Sequence, residues 1–94
     1  MRILGYVDHP VYKITVFKMD NRIVVKLENE RYEQVYKLGD DERLSTLQQV
    51  KTLIDTSFLQ HATQIFQLMH QNRMARLAQM AGENTGGPDF PVIV

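Results

Sequence analysis

The chain has 94 residues, 44% of them hydrophobic and 23% charged, with eleven basic and eleven acidic side chains and no cysteine. These proportions suit one small folded domain and exclude a chain without a core, while the missing thiols exclude a disulfide framework, a thiolate nucleophile and a zinc–thiolate site. Zero net charge argues against a surface built wholly for phosphates, although residues 1–39 carry seven Lys/Arg against five Asp/Glu and residues 40–94 carry four against six.

The first ten residues, MRILGYVDHP, lack the apolar stretch of a signal peptide, and no run approaches about 18 apolar residues. The expectation is a soluble, cytoplasmic protein with no membrane partner. Residues 2–8 alternate as a strand, and His9-Pro10 breaks it. Pairing across that break sets Val7, Gly5 and Ile3 beside Tyr12, Ile14 and Val16, and sends Leu4 and Tyr6 to the opposite face. Gly5 in mid-strand signals a bulge or the close packing of a helix.

Residues 12–38 carry the clearest pattern. Asp20-Asn21 separates two β-rich runs and reads as a two-residue hairpin turn. That turn sets Lys18 opposite Ile23, Phe17 opposite Val24, Val16 opposite Val25 and Ile14 opposite Leu27. A second tight turn at Asn29-Glu30 sets Leu27 opposite Tyr32, Val25 opposite Gln34 and Ile23 opposite Tyr36. One face then gathers Tyr12, Ile14, Val16, Ile23, Val25, Leu27, Tyr32 and Tyr36. On the other lie the rows Lys13-Glu28-Arg31, Thr15-Lys26-Glu33 and Phe17-Val24-Val35, whose opposite charges fall side by side.

After Leu38 the periodicity becomes helical. Gly39 ends the strand, Asp40-Asp41-Glu42 form a cap and acidic first turn, and Leu44, Leu47, Val50 and Ile54 recur at helical spacing. Asp55-Thr56-Ser57 supplies a second set of cap residues and a kink or short break. A longer helix over about residues 57–81 carries Phe58, Leu59, Ala62, Ile65, Phe66 and Met69 as one stripe, with Gln60, Gln64, Gln67 and Gln71 opposite. At about 37 Å it exceeds what short strands cover, so its last third is expected to project or to meet another subunit. Gly82 closes the helix, GENTGGPD reads as a linker, and FPVIV follows as a short β-prone tail.

Motifs for catalysis are lacking. His9, His61 and His70 have no metal-ligand spacing, Gly86-Gly87 has no phosphate-loop context, and Ser45 and Ser57 sit where hydroxyls cap helices. The expectation is no enzyme, no cofactor and no metal. Three surfaces are candidates for binding. On the outer sheet face stand Leu4, Tyr6, Phe17, Val24 and Val35, rimmed by Arg2, Lys13, Arg22, Lys26, Arg31 and Lys37. Aromatics among cations on an open sheet suit single-stranded nucleic acid, by stacking and phosphate neutralisation. The order of four antiparallel strands and then helix is similar to the layout of the Whirly and PUR-type single-strand binders, a likeness of fold order alone. At the helix end Met69, Met74, Leu77 and Met80 accompany Arg73 and Arg76, with no acidic residue between Asp55 and Glu83. Methionines adapt to irregular partners, and arginine forks meet carboxylates or phosphates. The tail residues Phe90, Val92, Ile93 and Val94 fold back, add to a partner's sheet, or stay unstructured.

The reading is one α+β domain over residues 1–81, with a linker and tail over 82–94. A four-stranded antiparallel meander is followed by a long C-terminal helix that is kinked or split in two. The expected core is Ile14, Val16, Ile23, Val25, Leu27, Tyr36, Leu47, Ile54, Phe58, Ala62, Ile65 and Phe66. The expected function is a homodimeric, non-enzymatic binding module in protein interaction or assembly, the alternative being single-stranded nucleic-acid binding on the sheet face.

Overall fold

The computed structural model describes the backbone of residues 1–86 and the side chains of residues 1–81. Four antiparallel strands form one sheet in chain order: β1 (Arg2–Val7), β2 (Lys13–Met19), β3 (Arg22–Glu28) and β4 (Glu33–Gly39). A single 3-10 turn (Glu42–Leu44), a short helix α1 (Leu47–Leu53) and a long helix α2 (Thr56–Gly86) follow. The chain is thus the α+β meander with a split helical arm that its periodicity predicts. It divides into two compact units, Met1–Thr63 and a second beginning at Gln64.

The β2–β3 hairpin has the expected register, from Lys13 opposite Glu28 to Met19 opposite Arg22. Asp20 takes φ 56°, the positive value that tight hairpin turns require at a central position. The other two connections differ from expectation. Between β3 and β4 the turn is a four-residue loop, 29–32, instead of Asn29-Glu30 alone, so Leu27 faces Gln34 and Val25 faces Tyr36. The reason is local. The Asn29 side-chain oxygen accepts from the N–H of Arg31 at 2.9 Å and of Tyr32 at 2.8 Å, and the Asn29 N–H donates to the Tyr32 carbonyl at 3.0 Å. From Val24 to Glu28 the shift is two residues, so the paired β4 side chains keep their face while the charge rows change; a second irregularity sets Ile23 opposite Gly39, not Tyr36. Glu28 now stands opposite Glu33, and Lys26 opposite Val35.

The β1–β2 loop has the same construction. His9 Nδ1 accepts from the N–H of Val11 and of Tyr12, each at 3.1 Å, and the His9 and Tyr12 rings stack with centroids 4.9 Å apart. His9 therefore shapes a loop, and Val7 pairs with Ile14 instead of Tyr12. A bulge between Ile3 and Gly5 then sets Ile3 opposite Phe17 and Arg2 opposite Lys18, so Ile3 leaves the core face for the outer one. Gly5 answers both expectations raised for it. It adjoins the bulge, and a Cβ there would lie 2.6 Å from Leu47 Cδ2 on α1.

The helical arm begins differently from its predicted caps. Asp41 caps the 3-10 turn, whereas α1 starts at a capping box in which Thr46 and Gln49 each bond the other's backbone. Asp55 caps α2, its side chain accepting from the Phe58 N–H at 2.9 Å. The long helix runs on through Gly82 to Gly86; one helical glycine weakens a helix by about 1 kcal/mol against alanine and need not end it. The tail, residues 90–94, lies outside the described residues, as does the end of the predicted linker.

In the first unit the core lies between the sheet and the helices. Ile14, Val16, Ile23, Val25 and Leu27 are buried with Tyr12, Val50, Ile54 and Ala62. Tyr36, Leu47 and Phe58 are half-buried, not fully enclosed as expected, and the Tyr36 and Phe58 rings meet at 4.8 Å. Two polar ties join sheet and helix. Gln34 Nε2 donates to the Ala62 carbonyl at 2.8 Å while accepting from the Tyr36 hydroxyl, and the Tyr12 hydroxyl meets Thr63 Oγ1 at 2.7 Å. In the second unit Phe66 is buried, but Ile65, expected in the core, is exposed. The apolar stripe narrows there, and one side of the helix no longer accommodates both residues.

Candidate functional site

Strand alternation and the observed register place the outer sheet face residue by residue. Nearest the β2–β3 turn lie Met19 and Arg22. Next comes the row Ile3, Phe17, Val24, Lys37, then Tyr6, Thr15, Lys26, Val35, and finally Lys13, Glu28, Glu33. Eight of the residues predicted for this face are thereby brought together; Arg31 instead belongs to the 29–32 loop, Leu4 to the β1 bulge, and Arg2 stands opposite Lys18. Ile3, Tyr6 and Val35 are 51, 52 and 50% exposed, and Phe17 is half-buried between them. Val24 and Thr15 are buried although they sit on this face. Both are short β-branched residues on central strands, beneath longer neighbours in the same rows. Ile3 and Met19 were not named for this face; Gly5 hinted at the bulge that turns Ile3 outward, and alternation from Phe17 places Met19.

Charge on this face is sorted along the strands. Arg22 and Lys37 lie toward one end, and Glu28 and Glu33 toward the other, with Lys13 directly opposite Glu28. Lys26 approaches Glu28 at 3.5 Å; among the described residues Arg22, Lys37 and Glu33 have no salt-bridge partner. Two carboxylates directly across an antiparallel pair repel, and Lys26 offsets part of that repulsion at Glu28.

The second candidate surface belongs to α2 beyond Gln64. Ile65, Leu68, Met74, Leu77 and Met80 are exposed, Leu68 by 63% and Met80 by 55%, and Met69 is half-buried. Arg73 contacts Met74 Sδ at 3.7 Å, and Arg76 donates to Gln79 Oε1 at 2.9 Å. Neither guanidinium meets a carboxylate among the described residues. The third candidate, Phe90, Val92, Ile93 and Val94, lies outside the described residues.

A surface depression of about 320 Å³ is lined by Asp41, Arg43, Leu44, Gln49, Thr52 and Leu53. Its charged groups serve one another: Arg43 Nη2 bonds Asp41 Oδ2 at 2.8 Å and Arg43 Nε bonds Asp41 Oδ1 at 3.1 Å. Hydrogen bonds from Arg43 hold the Asp41 carboxyl down from 3.8 to about 2. Its folded value is the depressed one, so the interaction is present above about pH 4 and is lost as pH falls toward 2. An NMR titration should place the Asp41 midpoint near 2, and Arg43→Ala should return it toward 3.8; an unmoved midpoint would show that Arg43 is not the cause.

Among the described residues no group of three His, Asp or Glu side chains is placed to hold a metal ion, and no helix is long and apolar enough to cross a membrane. The arrangement defines a small α+β protein with an antiparallel meander, one amphipathic outer sheet face and one helix rich in exposed apolar side chains. No protein-family model, curated protein or solved structure matches the chain.

Proposed function

We propose that this protein is a non-enzymatic homodimeric binding module with a role in protein interaction or assembly. The observation that carries this reading is the helix beyond Gln64. Leu68, Met74, Leu77 and Met80 there are exposed, and helices in water owe most of their stability to packing of an apolar face. A protein partner would cover Leu77 and Met80 while its carboxylates meet Arg73 and Arg76. The cytoplasm is the proposed compartment, since a chain without cysteine works in a reducing environment as well as in any other.

The test compares affinity capture by the full chain and by a Leu77→Glu, Met80→Glu variant, with solution mass measured on both. The wild type should have twice the 11.0 kDa chain mass and retain a protein that the variant loses. A monomer at all concentrations would overturn the homodimer, and equal capture by both would remove the helix as the partner surface. The alternative, single-stranded nucleic-acid binding, draws on the exposed Tyr6 and on Arg22 and Lys37, which meet no carboxylate among the described residues. It requires oligonucleotide affinity that falls steeply with salt and is lost in Lys26→Glu or Phe17→Ala.

A further inference from the structure

Resting on the homodimer reading above, we propose that two copies of this chain join edge to edge through β4, forming one continuous antiparallel sheet about a two-fold axis at Val35. The sheet ends at β4, and among the described residues no strand pairs with its outer side. The loop before β4 sets which backbone groups face that side. The Asn29 N–H donates to the Tyr32 carbonyl, so alternation along the ladder turns the groups of Gln34 and Tyr36 toward β3 and those of Glu33, Val35 and Lys37 outward. Val35 is 50% exposed, and the strand runs from Glu33 to Lys37 without a bulge or a proline. An edge of this kind accepts a further strand. The opposite edge, β1, is interrupted by the bulge between Ile3 and Gly5.

Charge decides which strand fits. Lys26 reaches Glu28 and Lys13 stands opposite it, whereas Glu33 faces only Glu28 and Lys37 faces Val24; neither Glu33 nor Lys37 has a salt bridge among the described residues. These two residues flank Val35 symmetrically, so antiparallel pairing centred on Val35 sets Glu33 of each copy directly opposite Lys37 of the other. The outward groups of Glu33, Val35 and Lys37 are then joined by roughly six backbone hydrogen bonds. One row across the joined sheet reads Lys13, Glu28, Glu33, then Lys37 and Val24 of the second copy, and lysines bracket the glutamate pair. The Lys26 rows meet through Val35 against Val35, which keeps the two Lys26 residues about 14 Å apart. Centring on Glu33 or Lys37 would set like charges together, and centring on Gln34 or Tyr36 would put Glu33 opposite Val35 or Gly39. Only Arg31, exposed on its loop, comes diagonal to the second copy's Lys37, at roughly 7–8 Å, where long side chains can separate. β4 is thus its own antiparallel complement, and a second copy is its occupant.

The deciding experiment combines solution mass with amide exchange by NMR on the full chain. Wild type should run at twice 11.0 kDa, and the Val35 N–H should exchange slowly in the dimer and faster on dilution. Glu33→Lys and Lys37→Glu each place like charges across both contacts and should weaken dimerisation by about ten-fold. Their equimolar mixture and the double variant Glu33→Lys/Lys37→Glu should recover the dimer, because each restores opposite charges. Val35→Pro removes an N–H that points away from β3, so it should abolish the dimer while thermal unfolding shows the fold retained. The charge exchange decides even if that proline unfolds the strand. If both single variants stay as dimeric as wild type, the mixture stays monomeric, or Val35 exchanges rapidly within a dimer, this edge is not the contact, while the homodimer reading stands. A monomeric wild type would overturn both. Slow Val35 exchange in that monomer, lost in Val92→Pro, would give the edge to the chain's own tail.

Discussion

Leu27→Ala should lower the unfolding free energy by about 2–5 kcal/mol, the usual result of truncating a buried leucine. Leu27 is fully buried on β3, with Ile14 opposite on β2 and Gln34 opposite on β4. A small domain has only about 5–15 kcal/mol in all, and each kcal/mol lost moves the midpoint of a chain this size by roughly 4–8 °C. A fall of about 10 °C or more is therefore expected, read by thermal or urea unfolding at one protein concentration, since dimerisation would make stability concentration-dependent. Leu68→Ala is the control. Leu68 is 63% exposed, and the same truncation there should change stability by no more than about 0.5 kcal/mol. Equal losses at the two sites would mean that the sheet–helix layer is not the core.

Gln34→Ala is the second large effect, at about 1–3 kcal/mol. Gln34 is a buried polar side chain that accepts from the Tyr36 hydroxyl and donates to the Ala62 carbonyl on α2. Its removal takes away one bond and leaves the Tyr36 hydroxyl without its acceptor. Tyr36→Phe should destabilise less, and the two changes together should fall short of their sum because they share one hydrogen bond. Additive losses in a double-mutant cycle would argue against the link. Burial also raises the Tyr36 pKa above its ordinary 10.0. The unfolded chain therefore loses this proton first, and stability present below pH 10 declines as pH rises through the folded value. Tyr36→Phe should flatten that alkaline decline in a pH series.

Where the loops and the first cap differ from expectation, a side chain takes over a backbone job. Asn29 and His9 each accept two N–H groups of their own loop, which lengthens the connection to four residues at Asn29 and to five at His9 and shifts the neighbouring strand. The Thr46–Gln49 capping box was present in the sequence but overshadowed by the more acidic Asp40-Asp41-Glu42. Ile65 and Phe66 are adjacent members of one apolar stripe, and periodicity cannot choose which of them is buried.

For the candidate surfaces the division is similar. Alternation alone assigns Tyr6, Phe17, Lys26 and Val35 to one face, because a two-residue slip in β4 preserves parity. The β1 bulge does not preserve it, and so Ile3 joins that face only in the folded sheet. The sorting of Arg22 and Lys37 away from Glu28 and Glu33 likewise depends on the realised register, which puts the two glutamates side by side.

What the sequence by itself determined is the class of fold, the β2–β3 register, the faces of the strands and the break before α2. These follow from periods of 2 and 3.6 and from residues whose backbone preferences act locally. Tertiary structure decided the outer registers, the contact of Gly5 with Leu47, the Gln34 link to α2 and the pattern of charge across the sheet. Each of those depends on atoms far apart in the chain or on hydrogen bonds that compete with a simpler turn, and their balance is struck only when the strands and helices are packed together.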